Sequence, residues 1–375
     1  KQTTDVYFAR TVKILRKTRR SKRVRAEFVV KGMPEGYRWG IVCGIEECIA
    51  LLEGTRVDLW AVEEGTAIRP LEPVMAIEAN YAEFAELETA LLGLLCQASG
   101  VATKAARLRL RAADRMILSF GARRMHPAIS PMIERSAYIG GCDGVSTLLG
   151  AEVAGIEPSG TIPHALVILC GGVDSAIEAF DRYVDPAVRR IALIDTFGDE
   201  KFEAIAACEA LGKRLYGVRL DTPRSRRGNL KEIVREVKWE LSLRGYGHVK
   251  IFVSGGIDEK EIEELKDVVD GFGIGTTLSN ARVLDFAMDI VEVEGVACAK
   301  RGKMSGAKEL LRCERCHKDL VVAVGKESVK RCKCGGRMKH LLTKVMEKGK
   351  ALIEVEPPNR IRKRVIEQLR WLTLD

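Results

Sequence analysis

Several groups of residues in this chain have types and spacings that can do chemistry. His164 stands in Ser159-Gly160-Thr161-Ile162-Pro163-His164-Ala165, on a turn before the apolar run Leu166–Leu169. A histidine so placed is either functional or a hydrogen-bonded structural residue, and His126, in Arg123-Arg124-Met125-His126-Pro127, is open to the same two readings. Arg123 and Arg124 can clamp a diphosphate, because guanidinium forks match phosphate oxygens, or can simply solvate a surface. Arg219 and Asp221 alternate, which turns both side chains to one face of a strand end. The arginine can take an anionic group there while the carboxylate binds ribose hydroxyls or a metal-bound diphosphate; an internal ion pair is the other reading. Ser254-Gly255-Gly256 and Gly271-Phe272-Gly273-Ile274-Gly275-Thr276 present bare backbone N–H groups that suit a phosphate, although tight turns alone use glycine in this way.

A further group is metal-binding. Cys313-x-x-Cys316 and Cys332-x-Cys334 stand fifteen residues apart among glycines and lysines. Two close cysteine pairs suit the two knuckles of a tetrahedral zinc ribbon. His317 and His340 lie nearby, but four cysteines already close the shell, so the site is read as structural.

These residues need elements to position them. Short apolar strands are expected at Met116–Phe120, Leu166–Leu169, Ile191–Ile194, Leu215–Val218, Ile251–Val253 and Gly271–Gly275, alternating with helices. Their C-terminal ends run into charged or glycine-rich stretches: Gly121-Ala122-Arg123-Arg124, Asp195-Thr196, Arg219-Leu220-Asp221 and Ser254-Gly255-Gly256. Active sites of (βα)8 barrels lie at that end of the strands, with phosphate commonly held late in the barrel. About six strands are visible, so the fold class is α/β, an irregular or incomplete TIM-like barrel. Before it, Val24–Val30 and Arg56–Asn80 read as strands of a small N-terminal α/β domain, with helical spacing over Ile41–Leu52, while Lys1–Arg10 shows no clear structure. The domains expected are 1–98, a barrel with the phosphate site over 99–285, a zinc ribbon over 304–350 and a basic helix over 351–375, with 286–303 rejoining the first.

Composition sets the class. The 375 residues are 46% hydrophobic and 30% charged, enough for a full core, and neither a secretion signal nor an apolar run long enough to span a membrane is evident. A cytoplasmic enzyme is expected. Seven of the eleven cysteines are scattered in apolar segments as buried thiols. Asparagine and glutamine number only four and three beside abundant Lys, Arg and Glu, a bias of heat-adapted proteins. The net charge of +9 suits nucleic acid or a phosphate-rich small substrate, and it concentrates in Lys13–Arg25 and Arg360–Arg370, where a solvated basic face is the simpler reading.

Taken together, TTDVYF, EFAELETALLG, SGVATKAAR, FGARR, SGTIPHA, GVRLD, SGGI and GFGIGT, in this order and spacing, resemble the nicotinate phosphoribosyltransferases, of the archaeal kind with an appended zinc ribbon, over nearly the whole length. The resemblance implies an enzyme that condenses nicotinate with 5-phosphoribosyl 1-pyrophosphate, with Mg2+ and with ATP as co-substrate, in homo-oligomers whose active sites are shared. It implies that Phe120, with Tyr7 of an arm formed by residues 1–10 of a neighbouring subunit, sandwiches the pyridine ring. Arg219 meets the carboxylate or the adjoining phosphate, Arg123 the diphosphate and Asp221 the ribose. Ser254, Gly255, Gly256, Gly273, Gly275 and Thr276 hold the 5-phosphate, and His164 is the histidine phosphorylated by ATP. His126 has no counterpart and stays unassigned. Quinolinate phosphoribosyltransferase, with the same fold and no ATP, is the nearest alternative; the ribbon and the Pro163-His164-Ala165 histidine argue against it. An RNA-modifying or RNA-binding zinc protein is the alternative from another class, and residues 305–350 lack the aromatics such binding uses.

Overall fold

The computed structural model describes residues 2–223, 225, 226, 228–325 and 329–374. The chain divides into two compact units, residues 104–281 and residues 1–103 with 282–375.

The first of these units is built on six parallel strands: β1 (Met116–Ser119), β2 (Gly144–Val145), β3 (Ile191–Leu193), β4 (Gly217–Leu220), β5 (Lys250–Val253) and β6 (Gly271–Ile274). They lie in the order β2-β1-β6-β5-β4-β3, and among the described residues the outer pair do not join, so the sheet is an open half-barrel. Packing explains part of the register. Phe252 faces Gly271 on one neighbour and Arg219 on the other, and its ring occupies the space that a Cβ at Gly217 or Gly271 would need. Since all six run in one direction, Phe120, Ser146, Asp195, Asp221, Ser254 and Gly275 come after their strands at a common edge.

Two expectations change, and one short strand is added. Leu166–Leu169 is not a strand: His164–Cys170 is a helix, opened by Pro163 with its fixed φ and closed by Gly171 at φ 84°. Its apolar run is not core either, since Ile168 and Leu169 are exposed and only Val167 is buried. The strand expected at Leu215–Val218 begins two residues later, and β2, only two residues long, carries no periodic signal.

The second unit holds a seven-stranded antiparallel sheet. Asp285–Val293 returns to pair with Arg23–Gly32, Met288 opposite Phe28, and Pro73–Asn80, Asp58–Ala61 and Thr343–Glu347 continue the sheet in that order. Phe28, Leu59, Met75, Ile77, Phe84 and Leu91 fill its core. Residues that showed no structure in sequence begin a helix, Val6–Thr18, because Phe8 and Val12 sit one turn apart and are both buried, a period too long to read in ten residues. The C-terminal helix, Pro358–Leu369, buries Ile361, Val365 and Leu369. One of its cations, Arg364, is bound to the carboxylate of Glu356 and the carbonyl of Glu64.

Burial raises carboxyls of this unit well above the usual carboxylate range, Glu88 among them. Desolvation pushes Glu88 up to about 7, against the pull of Lys300 and with the repulsion of Asp289 and Asp5. That lies above the unfolded value of about 4.3, so the stabilising contribution belongs to the protonated form and is lost as pH rises through 7. Glu88→Gln is expected to match the wild-type thermal midpoint at pH 4.5 and exceed it at pH 8, measured by scanning calorimetry across that range.

Candidate active site

A cleft of about 960 Å³ opens at the C-terminal edge of the half-barrel. Phe120, Arg123, His164, Arg219, Asp221, Ser254, Gly255, Gly256, Gly273, Gly275 and Thr276 all line it. The strand-end reading therefore brings eleven of the twelve candidate substrate and catalytic residues to one wall. Tyr7 is the exception; it lies in the other unit, on the exposed side of the helix Val6–Thr18.

Arg219, reaching from β4, is mostly buried. Its Nε donates to the Thr161 hydroxyl at 2.9 Å, and one terminal nitrogen donates to Ser254 Oγ at 2.8 Å and lies 3.4 Å from Asp221 Oδ2. Burial lowers its pKa, while Asp221 and Asp195 push it back up; arginine starts so high that the cation persists. Ser254 Oγ in turn donates to Asp221 Oδ1 at 2.7 Å. Beside this network, the guanidinium carbon of Arg219 is 5.9 Å from the centre of the Phe120 ring. That ring rests on bare backbone: a Cβ at Gly273 would come within 2.5 Å of it.

The glycines after β5 have a separate cause. Gly255 and Gly256 take φ of 81° and 72°, a region side chains disfavour, and they turn the chain sharply after Ser254. Arg123 and Arg124 occupy a short 3-10 turn after β1 and are both exposed at the cleft. His126 accepts the backbone N–H of Ala128 at 3.1 Å and so caps the next turn, a structural role.

His164 is the first residue of its helix, which projects the ring into the cleft. Nδ1 meets Thr196 Oγ1 at 3.0 Å, and Nε2 faces Asp221 Oδ2 at 3.8 Å and Asp195 Oδ1 at 3.9 Å. Asp195 was visible only as a charged strand end and escaped assignment. Its side chain is 3% exposed; Oδ2 accepts the Asp221 N–H and the Thr222 hydroxyl, while the buried Oδ1 has no hydrogen-bond partner. Desolvation raises its pKa over the opposing pull of the Asp221 amide and His164. Two further carboxylates fix the surrounding loops without touching the cleft chemistry. Glu203 accepts the N–H groups of Thr196, Phe197 and Gly198, and the fully buried Glu134 accepts both N–H and hydroxyl of Ser146 and of Thr147.

The ribbon forms a separate site. The sheet of Lys308–Cys313, Asp319–Ala323 and Met338–His340 brings Cys313, Cys316, Cys332 and Cys334 together, all sulfurs within 4.8 Å of one another. Cys313 and Cys334 are 3.4 Å apart, Cys316 and Cys332 3.7 Å. Zinc–sulfur bonds of about 2.3 Å in a tetrahedron require sulfurs about 3.8 Å apart, so the set fits zinc. The two histidines stand aside: His317 stacks on Trp371 and His340 pairs with Glu309.

Two family models match the chain, quinolinate phosphoribosyl transferase N-terminal domain over residues 5–99 and C-terminal domain over residues 101–289. Nicotinate phosphoribosyltransferase pncB2 of Mycobacterium tuberculosis (strain CDC 1551 / Oshkosh) is 34% identical over 276 residues, 70% of this chain and 57% of that protein. Nicotinate phosphoribosyltransferase of Bacillus subtilis (strain 168) is 31% identical over 231 residues, 59% of this chain and 46% of that protein. The chain thus spans about half the length of these relatives. Among solved structures, nicotinate-nucleotide pyrophosphorylase from Pyrococcus furiosus superposes with a TM-score of 0.96 at 51% identity, covering 99% of this chain and 95% of that one. Human nicotinic acid phosphoribosyltransferase, at 20% identity and TM-score 0.80 over 99% and 94% of the two chains, shares the fold.

The ribbon geometry makes a direct prediction. Elemental analysis of purified protein is expected to find one zinc per chain, and Cys332→Ser to lose it and lower the thermal midpoint; a metal-free wild type would remove the zinc assignment.

Proposed function

The chain belongs to the quinolinate phosphoribosyl transferase family of type II phosphoribosyltransferases, and from that premise we propose that it is a nicotinate phosphoribosyltransferase, forming nicotinate mononucleotide and diphosphate for NAD biosynthesis with ATP hydrolysis coupled through His164. The observation that carries the reading is the meeting, in one cleft, of a mostly buried arginine beside an aromatic ring with a histidine whose Nε2 faces two carboxylates. The names of the mycobacterial and Bacillus relatives support nicotinate as the base.

In this reading the pyridine ring stacks on Phe120 and its carboxylate meets Arg219. The ring nitrogen, already a nucleophile, attacks C1 of phosphoribosyl pyrophosphate as the C1–O bond to diphosphate breaks, so no general base is required. Positive charge grows on the ribose, and the chain's work is to position and to neutralise. Asp221 takes the ribose hydroxyls, Arg123 the diphosphate, and the turns Ser254–Gly256 and Gly273–Thr276 the 5-phosphate. Mg2+ suits the same place: Asp195, with its unpartnered buried oxygen, and Asp221 offer the hard oxygen donors it prefers, and it would neutralise the leaving diphosphate. His164 takes the terminal phosphoryl group of ATP, releasing ADP, and water then cleaves the N–P bond, freeing phosphate and restoring the imidazole. Thr196 fixes the ring by Nδ1 and leaves Nε2 toward the reacting groups.

A second copy of the chain completes this reading. Val6, Tyr7 and Ile14 are exposed on one helix, and Leu148, Leu149, Ile168 and Leu169 are exposed on elements beside the cleft, which suits contact with another subunit. No helix among the described residues is long and apolar enough to cross a membrane, and the cytoplasm is the proposed location. The quinolinate alternative requires a site for two carboxylates and releases carbon dioxide.

Nicotinate, quinolinate and nicotinamide should be assayed with phosphoribosyl pyrophosphate, each with and without ATP. Nicotinate alone is expected to turn over, faster with ATP; consumption of quinolinate alone, with carbon dioxide release, would overturn the assignment. His164→Ala is expected to fall to the ATP-free rate. Mixing it with Tyr7→Ala at low nicotinate should bring back ATP-stimulated turnover at about a quarter of the sites, the share left intact in randomly formed hybrid dimers.

A further inference from the structure

The segment before Tyr7 is held by an unusual pair of hydrogen bonds. Asp5 stands at the N-cap of the helix Val6–Thr18 with φ −62° and ψ 135°, the conformation from which an aspartate ordinarily accepts the N–H groups of the first turn. It makes no such bond. Instead Asp5 Oδ2 accepts the Thr89 hydroxyl at 2.9 Å, and the Asp5 N–H donates to Thr89 Oγ1 at 3.1 Å, a reciprocal ring between residues 84 apart. An exposed aspartate that leaves its own helix uncapped in favour of a distant threonine fixes the position of the helix start.

Tyr7 depends on that start. Its phenol is pushed up by desolvation and then by the charge of Asp5. The ring packs at 4.3 Å, tilted by 49°, on Phe8, which is buried, while the outer side of Tyr7 stays exposed. Phe8 therefore sets the depth of the segment, and the Thr89–Asp5 pair sets its direction.

We propose that Thr89 is a positioning residue which, through Asp5, fixes the direction in which Tyr7 is presented and thereby the stacking of the pyridine ring bound by a second copy of the chain. This rests on the proposed role of Tyr7 in a neighbouring site. The threonine touches no substrate; its effect reaches the base alone and leaves the phosphate subsites unchanged.

The test compares Thr89→Val, which keeps shape and removes the hydroxyl, with Thr89→Ser, which keeps it, in the full-length oligomer. Thr89→Val is expected to raise KM for nicotinate about ten-fold with KM for phosphoribosyl pyrophosphate and oligomer size unchanged, and Thr89→Ser to behave as wild type. In a Tyr7→Ala background, Thr89→Val is expected to add nothing, since its effect passes through that ring. If Tyr7→Ala raises KM for nicotinate but Thr89→Val does not, or if Thr89→Val weakens both substrates alike, the positioning role is overturned. If Tyr7→Ala itself leaves that KM unchanged, the shared-site premise fails instead.

Discussion

A guanidinium removed from water must have partners for its charge and its N–H groups, and the cleft is arranged around meeting that demand for Arg219. Its partners come from different places in the chain: Thr161 from the segment before the His164 helix, Ser254 from the end of β5, Asp221 from its own strand end. One cation thus cross-links three stretches that share no sequence proximity. Removing any one partner leaves a buried charge partly uncompensated, which costs more than the bond itself is worth. The same demand explains Ser254, whose hydroxyl accepts from Arg219 and donates to Asp221 and so carries the ion pair's geometry to β5.

The carboxylates answer that cation unevenly. Asp221 is partly exposed and shares its oxygens between Arg219 and Ser254, whereas Asp195 is buried, with one oxygen satisfied and one not. A buried oxygen without a partner is tolerated where a ligand or ion supplies one. Its position 3.9 Å from His164 Nε2 sets an unmet acceptor beside the ring proposed to carry phosphate. Thr196 and Glu203 hold the ring and its loop from behind.

Much of this was legible because parallel strands turn a one-dimensional regularity into a place. Charged and glycine residues after the parallel strands had to gather at one edge, and most of them line the cleft, from Phe120 to Thr276. The Gly273 contact with Phe120 could not be read, since it depends on which strands are neighbours, and β6 lies beside β1 although they stand at opposite ends of the segment. Leu166–Leu169 misled for a different reason: an apolar run signals burial, but here Ile168 and Leu169 stay exposed in the chain, and Pro163 with Gly171 set a helix that short windows cannot distinguish from a strand. Asp195 looked like any other strand-end acid; only its burial and its orphan oxygen set it apart.

The net charge of +9 is no guide to this site. The cleft is lined by three arginines, Arg123, Arg124 and Arg219, and by Asp221, with Asp195 beside His164 and with Arg219 largely committed to internal partners. Lys13, Arg16 and Lys17, by contrast, lie on a helix of the other unit. In the proposed reading, the 5-phosphate falls to backbone amides at the glycine turns, which are neutral, fixed in direction and tolerant of nearby carboxylates. That division, in the same reading, leaves the exposed Arg123 for the diphosphate and the mostly buried Arg219 for the base.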